Sequence, residues 1–283
     1  MFREEDHTYW AWSGRAGAWL RPSSCSQVLS TAGAKGFSTS AWRASLVRKQ
    51  QMREQEAAAY CSLHVEARAA IGTELHGLIR QELTGDPAPP VQFAESLLLL
   101  AVWRRQFLPQ IEAVILCEAP MVSGAGFFSG TPDLVARVNG RWLVLDWKSK
   151  ASREKAKPDK AWPLQLAGYQ ILLRDVHGIA LEGAANVMVW PDGLEEVFYA
   201  APEMAQHRRR YVGCLAWCHA VRASEGCAAS AAALWQLLQL QPQALEQSQP
   251  PKGAGPWTVA AVLGVDHPAV AACPEPKLIN SQQ

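Results

Sequence analysis

The sequence lacks a long hydrophobic run. Its longest apolar stretch, 97–103, is far too short to cross a bilayer, which takes about 20 apolar residues in a helix. The opening residues also lack the cationic flank and apolar core of a secretory signal. We therefore expect a protein without a membrane partner.

An excess of charge of either sign is also missing. The 283 residues include 27 Lys and Arg against 26 Asp and Glu, which gives a net charge of +1. This balance excludes a protein that binds nucleic acid through bulk positive charge, although a local basic patch is compatible with it. About half of the residues are apolar, so the chain is long enough to bury a substantial core.

Cysteines are few, and they lack the close spacing of a disulfide framework. There are seven of them, an odd number, scattered along the chain. Such cysteines are typical of a reducing compartment. We therefore expect a cytoplasmic protein.

The order of predicted elements indicates an α/β protein. Short β-branched and apolar stretches predict strands over 114–119, 133–138, 141–148 and 184–190. Stretches with few breakers predict helices over 40–83, 91–108, 162–175, 202–224 and 229–240. We divide the chain into a mainly helical part at 1–110, a core at 111–200, helices packing on it at 201–240, and a loosely ordered tail at 241–283.

Asn139-Gly140 predicts a β-hairpin with a type I′ turn, the strongest short hairpin signal in the sequence. If these two residues form the loop, counting outward along both strands places Asp133 directly opposite Asp146. Lys148, two residues further on, shares their face of the sheet. The hairpin therefore predicts two carboxylates and an ammonium group close together.

Carboxylates placed directly opposite each other repel unless a positive group lies between them. A divalent cation meets that need, and hard ions such as Mg²⁺ prefer carboxylate oxygens. A cation of this kind can also assist hydrolysis of a phosphodiester. The alternative is that these are solvated charges at strand ends, because an Asp followed later by Asp-x-Lys often occurs by chance.

Two further motifs flank the hairpin in the order His, Asp, Asp-x-Lys, Gln-x-x-x-Tyr. The hairpin segment runs from Gly130-Thr131-Pro132-Asp133 to Asp146-Trp147-Lys148, with Gly72-Thr73-Glu74-Leu75-His76 upstream and Gln165-Leu166-Ala167-Gly168-Tyr169 downstream. Over about 65–200 the chain resembles the PD-(D/E)XK nuclease superfamily, and within it the RecB-like exonuclease branch. The resemblance implies a restriction-endonuclease-like core, a mixed central sheet flanked by helices, with a helical N-terminal region.

The resemblance also implies a site. One or two Mg²⁺ or Mn²⁺ ions would be held by His76, Asp133, Asp146 and the carbonyl of Trp147, with Asp133, Asp146 and Lys148 as the catalytic residues. Gln165 and Tyr169, four residues apart on one helix face, would brace Lys148 or contact a DNA phosphate. Without the resemblance, Gln165 and Tyr169 also fit one face of an amphipathic helix. His76 also fits a histidine packed in the core.

Glu118 is a secondary candidate on the first predicted strand of the sheet. In this branch an acidic residue there can face the metal or the DNA. A simple strand-end carboxylate fits its position equally well.

A charged loop follows the catalytic strand and could hold a phosphate backbone. Its cations are Arg153, Lys155, Lys157 and Lys160. The alternative is a solvated loop without a partner. Trp147 and Trp162 are candidates for stacking on unpaired bases, or else packed core residues.

Some RecB-like nucleases hold an iron–sulfur cluster with one upstream and three downstream cysteines. Cys25, Cys214, Cys218 and Cys227 fall in that order. Their spacing departs from the tight Cys-x₂-Cys of such clusters, and Cys214 with Cys218 fits a buried helix face. We therefore do not expect a cluster.

These features together predict a metal-dependent deoxyribonuclease. No signature of sequence-specific recognition is present, which favours an exonuclease in DNA processing, recombination or repair that acts on single strands or duplex ends. Two alternatives stay open. One is a structure- or site-specific endonuclease of the same fold, and the other is a nucleic-acid-binding subunit that no longer cuts.

Overall fold

A mixed five-stranded sheet lies at the centre of the fold. The structure is a computed structural model, and it describes residues 1–3, 8–13, 17–34, 39–87, 89–124 and 126–240. Its strands are β6 (Ile111–Cys117), β9 (Leu134–Val138), β10 (Arg141–Ser149), β11 (Gly183–Trp190) and β12 (Gly193–Ala200), in the order β12-β11-β10-β9-β6. β10 and β11 run parallel, and the other neighbours are antiparallel. The parallel pair requires a crossover, which the helix between these two strands provides.

The predicted hairpin is confirmed. β9 and β10 pair in the expected register, from Arg141 opposite Val138 to Leu145 opposite Leu134. Asn139 and Gly140 have φ values of +48° and +79°, as a type I′ turn requires at both loop positions.

Seven helices are described around the sheet. They are α1 (Cys25–Thr31), α2 (Thr39–Gln50), α3 (Glu54–Thr84), α4 (Ala94–Gln106), α5 (Trp162–His177), α6 (Ala201–Ser224) and α7 (Ala228–Leu240). Short 3₁₀ turns occur at Leu108–Gln110 and Arg153–Lys155. No helix in the described ranges is both long and apolar enough to span a membrane.

Two apolar clusters cover the two faces of the sheet, because successive side chains of a strand point to opposite faces. On one face, Leu134 and Leu145 pack with residues of α3 and α4. On the other, Val135 and Val144 pack with residues of α1, α5 and α6. The central strands are therefore buried on both sides, and only their ends are open to the surface.

Short strands from distant parts of the chain complete the fold. β1 (Phe2–Arg3) pairs with β2 (Thr8–Tyr9), and β3 (Ala11–Ser13) pairs with β4 (Ala18–Leu20). A three-stranded sheet joins β5 (Ser23–Ser24) to β8 (Phe128–Gly130) and β7 (Met121–Ser123). Ser24 caps α1: its hydroxyl accepts the Gln27 amide, and the Gln27 side chain accepts the Ser24 amide.

The single helix predicted over 40–83 is wrong, because the chain forms two helices there. Helical structure is interrupted at 51–53, where Gln51 has a φ of +54°. The interruption lets α2 fold back on α3, so that Leu46 packs against Ala57 and Cys61. The predicted tail at 241–283 lies outside the described residues.

Candidate active site

The hairpin divides the Asp-x-Lys motif between the two faces of the sheet. Trp147 belongs to the apolar cluster under α3 and α4, where its indole meets Trp103 and Phe107 edge to face at 5.8 and 5.4 Å. Asp146 and Lys148 consequently point to the opposite face, toward α5. Trp147 is only 2% exposed, so of the two alternatives for it, stacking on bases and packing in the core, the structure shows packing.

Asp133 directly precedes Leu134, the first residue of β9, and Asp146 directly follows Leu145, which pairs with Leu134. One oxygen of its carboxylate, Oδ2, accepts the backbone N–H of Trp147 at 2.7 Å. The other oxygen, Oδ1, lies 3.4 Å from Nδ1 of His76. The buried carboxylate of Asp133, which is 7% exposed, therefore contacts both the backbone of Trp147 and the side chain of His76.

His76 reaches this carboxylate from α3. Its Nε2 donates to the carbonyl of Trp147 at 3.2 Å, since that oxygen can only accept. Burial lowers the pKa of His76, but the carboxylates of Asp133, Asp146 and Glu118 outweigh burial and raise the pKa to about 9. His76 is therefore protonated at neutral pH, and the stabilisation from its ion pairs is lost as the pH rises through about 9.

Asp146 and Lys148 form a buried ion pair, with Lys148 Nζ 2.5 Å from Asp146 Oδ2. Burial raises the pKa of Asp146, and the Lys148 ammonium opposes that rise. Burial lowers the pKa of Lys148, but Asp146 and Asp133 outweigh it and raise that pKa. Lys148 is therefore charged at neutral pH.

A second partner of Asp146 comes from the neighbouring strand. Asn186 on β11 is directly beside Asp146 in the parallel register, and its Nδ2 donates to Asp146 Oδ2 at 2.9 Å. Asn186 is fully buried. Its side-chain oxygen has no hydrogen-bond partner among the described residues.

The Gln-x-x-x-Tyr motif extends this network onto α5. Lys148 Nζ donates to Oε1 of Gln165 at 3.4 Å, and Nε2 of Gln165 donates to the hydroxyl of Tyr169 at 2.7 Å. The expected contact between this motif and Lys148 is therefore present. Gly168 lets α5 pack closely, because a Cβ there would lie 2.7 Å from the ring of Tyr211.

Glu118 lies beside the site but not on a strand, which corrects its predicted place within 114–119. β6 ends at Cys117, and Glu118 turns the chain with a φ of +45°. Its carboxylate lies 3.8 Å from His76 Nδ1 and 3.7 Å from Nη1 of Arg80. Glu118 therefore occupies a position that faces the candidate metal ligands.

The predicted basic loop connects β10 to α5. All four of its cations are exposed: Arg153, Lys155, Lys157 and Lys160. Trp162, at the first position of α5, is partly buried and lies under the ammonium groups of Lys148 and Lys150, 5.7 and 4.5 Å from its ring centre. The loop and Trp162 therefore lie next to the Asp146–Lys148 pair in the chain, and Trp162 also contacts Lys148 in space.

Two of the cysteines considered for a cluster form hydrogen bonds with hydroxyl groups. Cys25 is fully buried and its Sγ accepts the hydroxyl of Tyr211 at 3.3 Å, while Cys218 donates to the Ser23 hydroxyl at 3.4 Å. Burial raises the pKa of the Cys25 thiol to about 12 and that of Cys214 to about 11. Both groups are therefore thiols at neutral pH.

The site presents the donors that a divalent cation prefers, two carboxylates with an imidazole and a carbonyl. Within the described ranges, no three His, Cys, Asp or Glu side chains meet as closely as metal ligands do. The two carboxylates instead contact cationic side chains: Asp133 contacts His76, and Asp146 contacts Lys148. The donor set fits a divalent cation in kind, and the cation would compete with these two ionic contacts.

Two residues of this region were missed from the sequence. Asn186 had a signal, since it is the one amide in the apolar stretch Gly183–Trp190. Arg80 also had one, because it follows His76 by four residues on the same helix face. Neither signal was interpretable before the register and the helix packing were known.

One of three comparisons with known proteins matches the superfamily suggested by the motifs. A curated-protein search finds no match. A solved structure titled "Crystal structure of SSO0001" aligns at 18% identity and a TM-score of 0.28, over 59% of this chain and 66% of that chain. The family profile of the PD-(D/E)XK nuclease superfamily matches residues 40–201, more than half of the chain, and the mixed sheet with its flanking helices is compatible with that fold. The chain belongs to the PD-(D/E)XK nuclease superfamily.

Proposed function

We propose that the protein is a Mg²⁺- or Mn²⁺-dependent deoxyribonuclease, and more narrowly an exonuclease of the RecB-like branch. The observation that carries the proposal is the convergence of His76, Asp133, Asp146 and Lys148 at one end of the β9–β10 hairpin. The hydrogen bonds from Lys148 through Gln165 to Tyr169 support the narrower assignment, because Gln-x-x-x-Tyr is a motif that the chain shares with the RecB-like branch.

In this proposal His76, Asp133, Asp146 and the Trp147 carbonyl hold the cation. A bound cation supplies charge that stabilises the transition state of phosphodiester hydrolysis and lowers the pKa of water. His76 would have to lose its proton to act as a ligand, so cation binding would release a proton below about pH 9.

Lys148 is the group that we assign to the phosphate or to the attacking water. Its ammonium has three donors, and the structure uses one toward Asp146 and one toward Gln165. The third can donate to an oxygen of the substrate and offset negative charge that develops there. In this proposal Trp162, which contacts Lys148, and the exposed loop cations Arg153, Lys155, Lys157 and Lys160 bind the DNA backbone.

The test is digestion of end-labelled DNA with Mg²⁺ or Mn²⁺ by the wild type, Asp146→Asn and Lys148→Met. Both substitutions nearly keep the shape of the side chain and remove its charge. We expect each to lower the rate by about 100-fold or more. Asp192→Asn, at an exposed aspartate in the β11–β12 turn, is the matched control and should cleave at the wild-type rate. Wild-type rates in both site variants would overturn the assignment.

Two further readouts separate the narrower statements. A covalently closed circle should stay intact if the enzyme is an exonuclease, whereas its cleavage would favour the endonuclease alternative. Mn²⁺ titration by calorimetry should show binding that Asp146→Asn weakens. A wild type that binds no Mn²⁺ would favour a subunit that does not cut.

A further inference from the structure

Arg80 has one guanidinium nitrogen that lacks a hydrogen-bond acceptor in the described part of the chain. Its Nε is buried and has no hydrogen-bond partner among the described residues. The nearest acids are Asp86, 3.8 Å from Nε, and Glu118, 3.7 Å from Nη1, and both distances exceed that of a hydrogen bond. A buried donor left unpaired is costly, so a ligand that supplies an acceptor would be stabilised at this position.

Arg80 lines a cavity of about 600 Å³ that also includes His76, Asp133 and Glu118. On the other side, the hydroxyl of Tyr9 is hydrogen-bonded to that of Thr131 at 2.6 Å, and both residues line the cavity. Arginine and hydroxyl side chains are groups that bind the phosphates and sugars of nucleic acids. The cavity therefore combines candidate metal ligands with a binding surface for a sugar-phosphate chain.

We propose that this cavity binds the phosphodiester next to the scissile one on an unpaired DNA strand, and that Arg80 is the residue that binds this phosphate. The inference rests on the proposed nuclease function and specifies its substrate. Asp146 and Lys148 do not line the cavity, and we therefore assign different phosphates to Lys148 and to Arg80.

Size and chemistry decide the occupant. Cavities of about 300–1,000 Å³ enclose a single ligand of drug size, which leaves room here for one or two nucleotides and not for two paired strands. The planar guanidinium matches two phosphate oxygens at once. The loose contacts of Arg80 with Asp86 and Glu118 hold the side chain in place and can yield to such a phosphate.

The test is binding of fluorescein-labelled oligothymidylate to the full chain in EDTA, measured by anisotropy over a range of NaCl concentrations. We expect Arg80→Ala to weaken binding about tenfold or more. It should also reduce the slope of log K against log salt by about 0.7, the value for one lost contact to a single-strand phosphate. Arg80→Lys should keep the slope, with an intermediate affinity.

Arg174→Ala is the matched control, because Arg174 has an equally loose ion pair, 3.9 Å from Asp175, and does not line the cavity. It should bind as the wild type does. Arg80→Ala with unchanged affinity overturns the inference, as does weaker binding at an unchanged slope, which would show a structural role. A wild type without measurable binding overturns it too.

The cleavage assay keeps the two proposals apart. If Asp146→Asn abolishes cleavage while Arg80→Ala binds normally, the nuclease function stands and the cavity assignment falls. If Asp146→Asn cleaves like the wild type, the nuclease assignment falls, and the salt slope alone decides whether Arg80 binds a phosphate. If Arg80→Ala weakens binding to a closed duplex circle as much as it weakens binding to the single strand, the preference for an unpaired strand is contradicted.

Discussion

Asn186 is a fully buried amide in a strand where every residue is buried. Its Nδ2 satisfies Asp146, but its own oxygen lacks a partner in the described part of the chain. Burying a polar group without a hydrogen bond costs free energy that an apolar residue of the same size would not. The residue is therefore explained by its contact with Asp146 and not by stability of the strand.

We predict that Asn186→Leu separates activity from stability. Leucine has the branched shape of asparagine, although it is larger, and it leaves one oxygen of Asp146 to Lys148 alone. The kcat of DNA cleavage should fall by about tenfold with little change in KM. The free energy of unfolding in urea should change by less than about 2 kcal/mol, because removal of a buried unpaired oxygen offsets the cost of the added volume. Unchanged kcat would show that Asn186 does not position Asp146.

Met188→Leu is the control for that substitution. Met188 lies two residues further along β11, so it faces the same side of the sheet and is fully buried. Exchanging methionine for leucine keeps the volume and touches no polar contact, so both kcat and stability should stay near wild type.

The turn between β9 and β10 sets the geometry of the whole site. Its register decides which residues of the two strands meet, and a shift by one residue would move Asp146 and Lys148 to the face of α3 and α4. Gly140 has a φ of +79°, and a Cβ there would meet open space. Only backbone strain opposes a side chain at this position.

Substitution of Gly140 should therefore destabilise the protein in proportion to how poorly the new residue adopts this conformation. Alanine should lower the free energy of unfolding by about 1–2 kcal/mol, since a positive φ brings Cβ close to the following carbonyl. Asparagine tolerates the conformation better and should cost less. Urea denaturation of Gly140→Ala and Gly140→Asn measures the order, and equal stability of both variants and the wild type would refute it.

The elements that the sequence predicted are those with a local signal. Asn139-Gly140 carries its own turn preference, and alternating or apolar residues mark β9 and β10 on either side. The sheet of β5, β7 and β8 has no local signal, because Ser23 pairs with Phe128 more than a hundred residues away. β12 was also missed, since Glu195-Glu196 obscures the alternation of an edge strand.

Candidate site residues follow the same rule. Asp133, Asp146 and Lys148 could be placed together by counting along one hairpin. His76 approaches from a helix of the other layer and was placed only through the family resemblance. Arg80 and Asn186 depend on helix-to-sheet packing and on a parallel strand pair, which no local pattern specifies.

On the scale of the whole molecule, His219 connects α6 to the loop after β7. It is fully buried, and its Nε2 donates to the carbonyl of Gly126 at 2.8 Å. Its Nδ1 has no partner in the described residues, so a proton there would be buried without an acceptor. Burial accordingly lowers the pKa of His219 to about 4.

This residue should make the protein less stable in mild acid. The unfolded chain binds a proton at His219 near pH 6.5, and the folded chain does so only near pH 4. His219 therefore does not reduce the free energy of unfolding above about pH 6.5. As the pH falls toward 4, it lowers that free energy by up to about 3 kcal/mol. Urea unfolding from pH 7 to 4 measures it, with His219→Gln as a variant that cannot titrate. Parallel curves for the two proteins would contradict the prediction.

Trp147 serves two layers of the molecule with different atoms. Its indole packs under α3 and α4, while its amide contacts Asp133 and its carbonyl contacts His76. A genetic selection that randomised this codon and scored DNA cleavage would therefore sort the side chains by bulk and not by reactivity. We expect the surviving clones to encode large apolar residues. The middle letter of Asp-x-Lys, which the motif leaves open, would then be nearly fixed by the shape of the surrounding core.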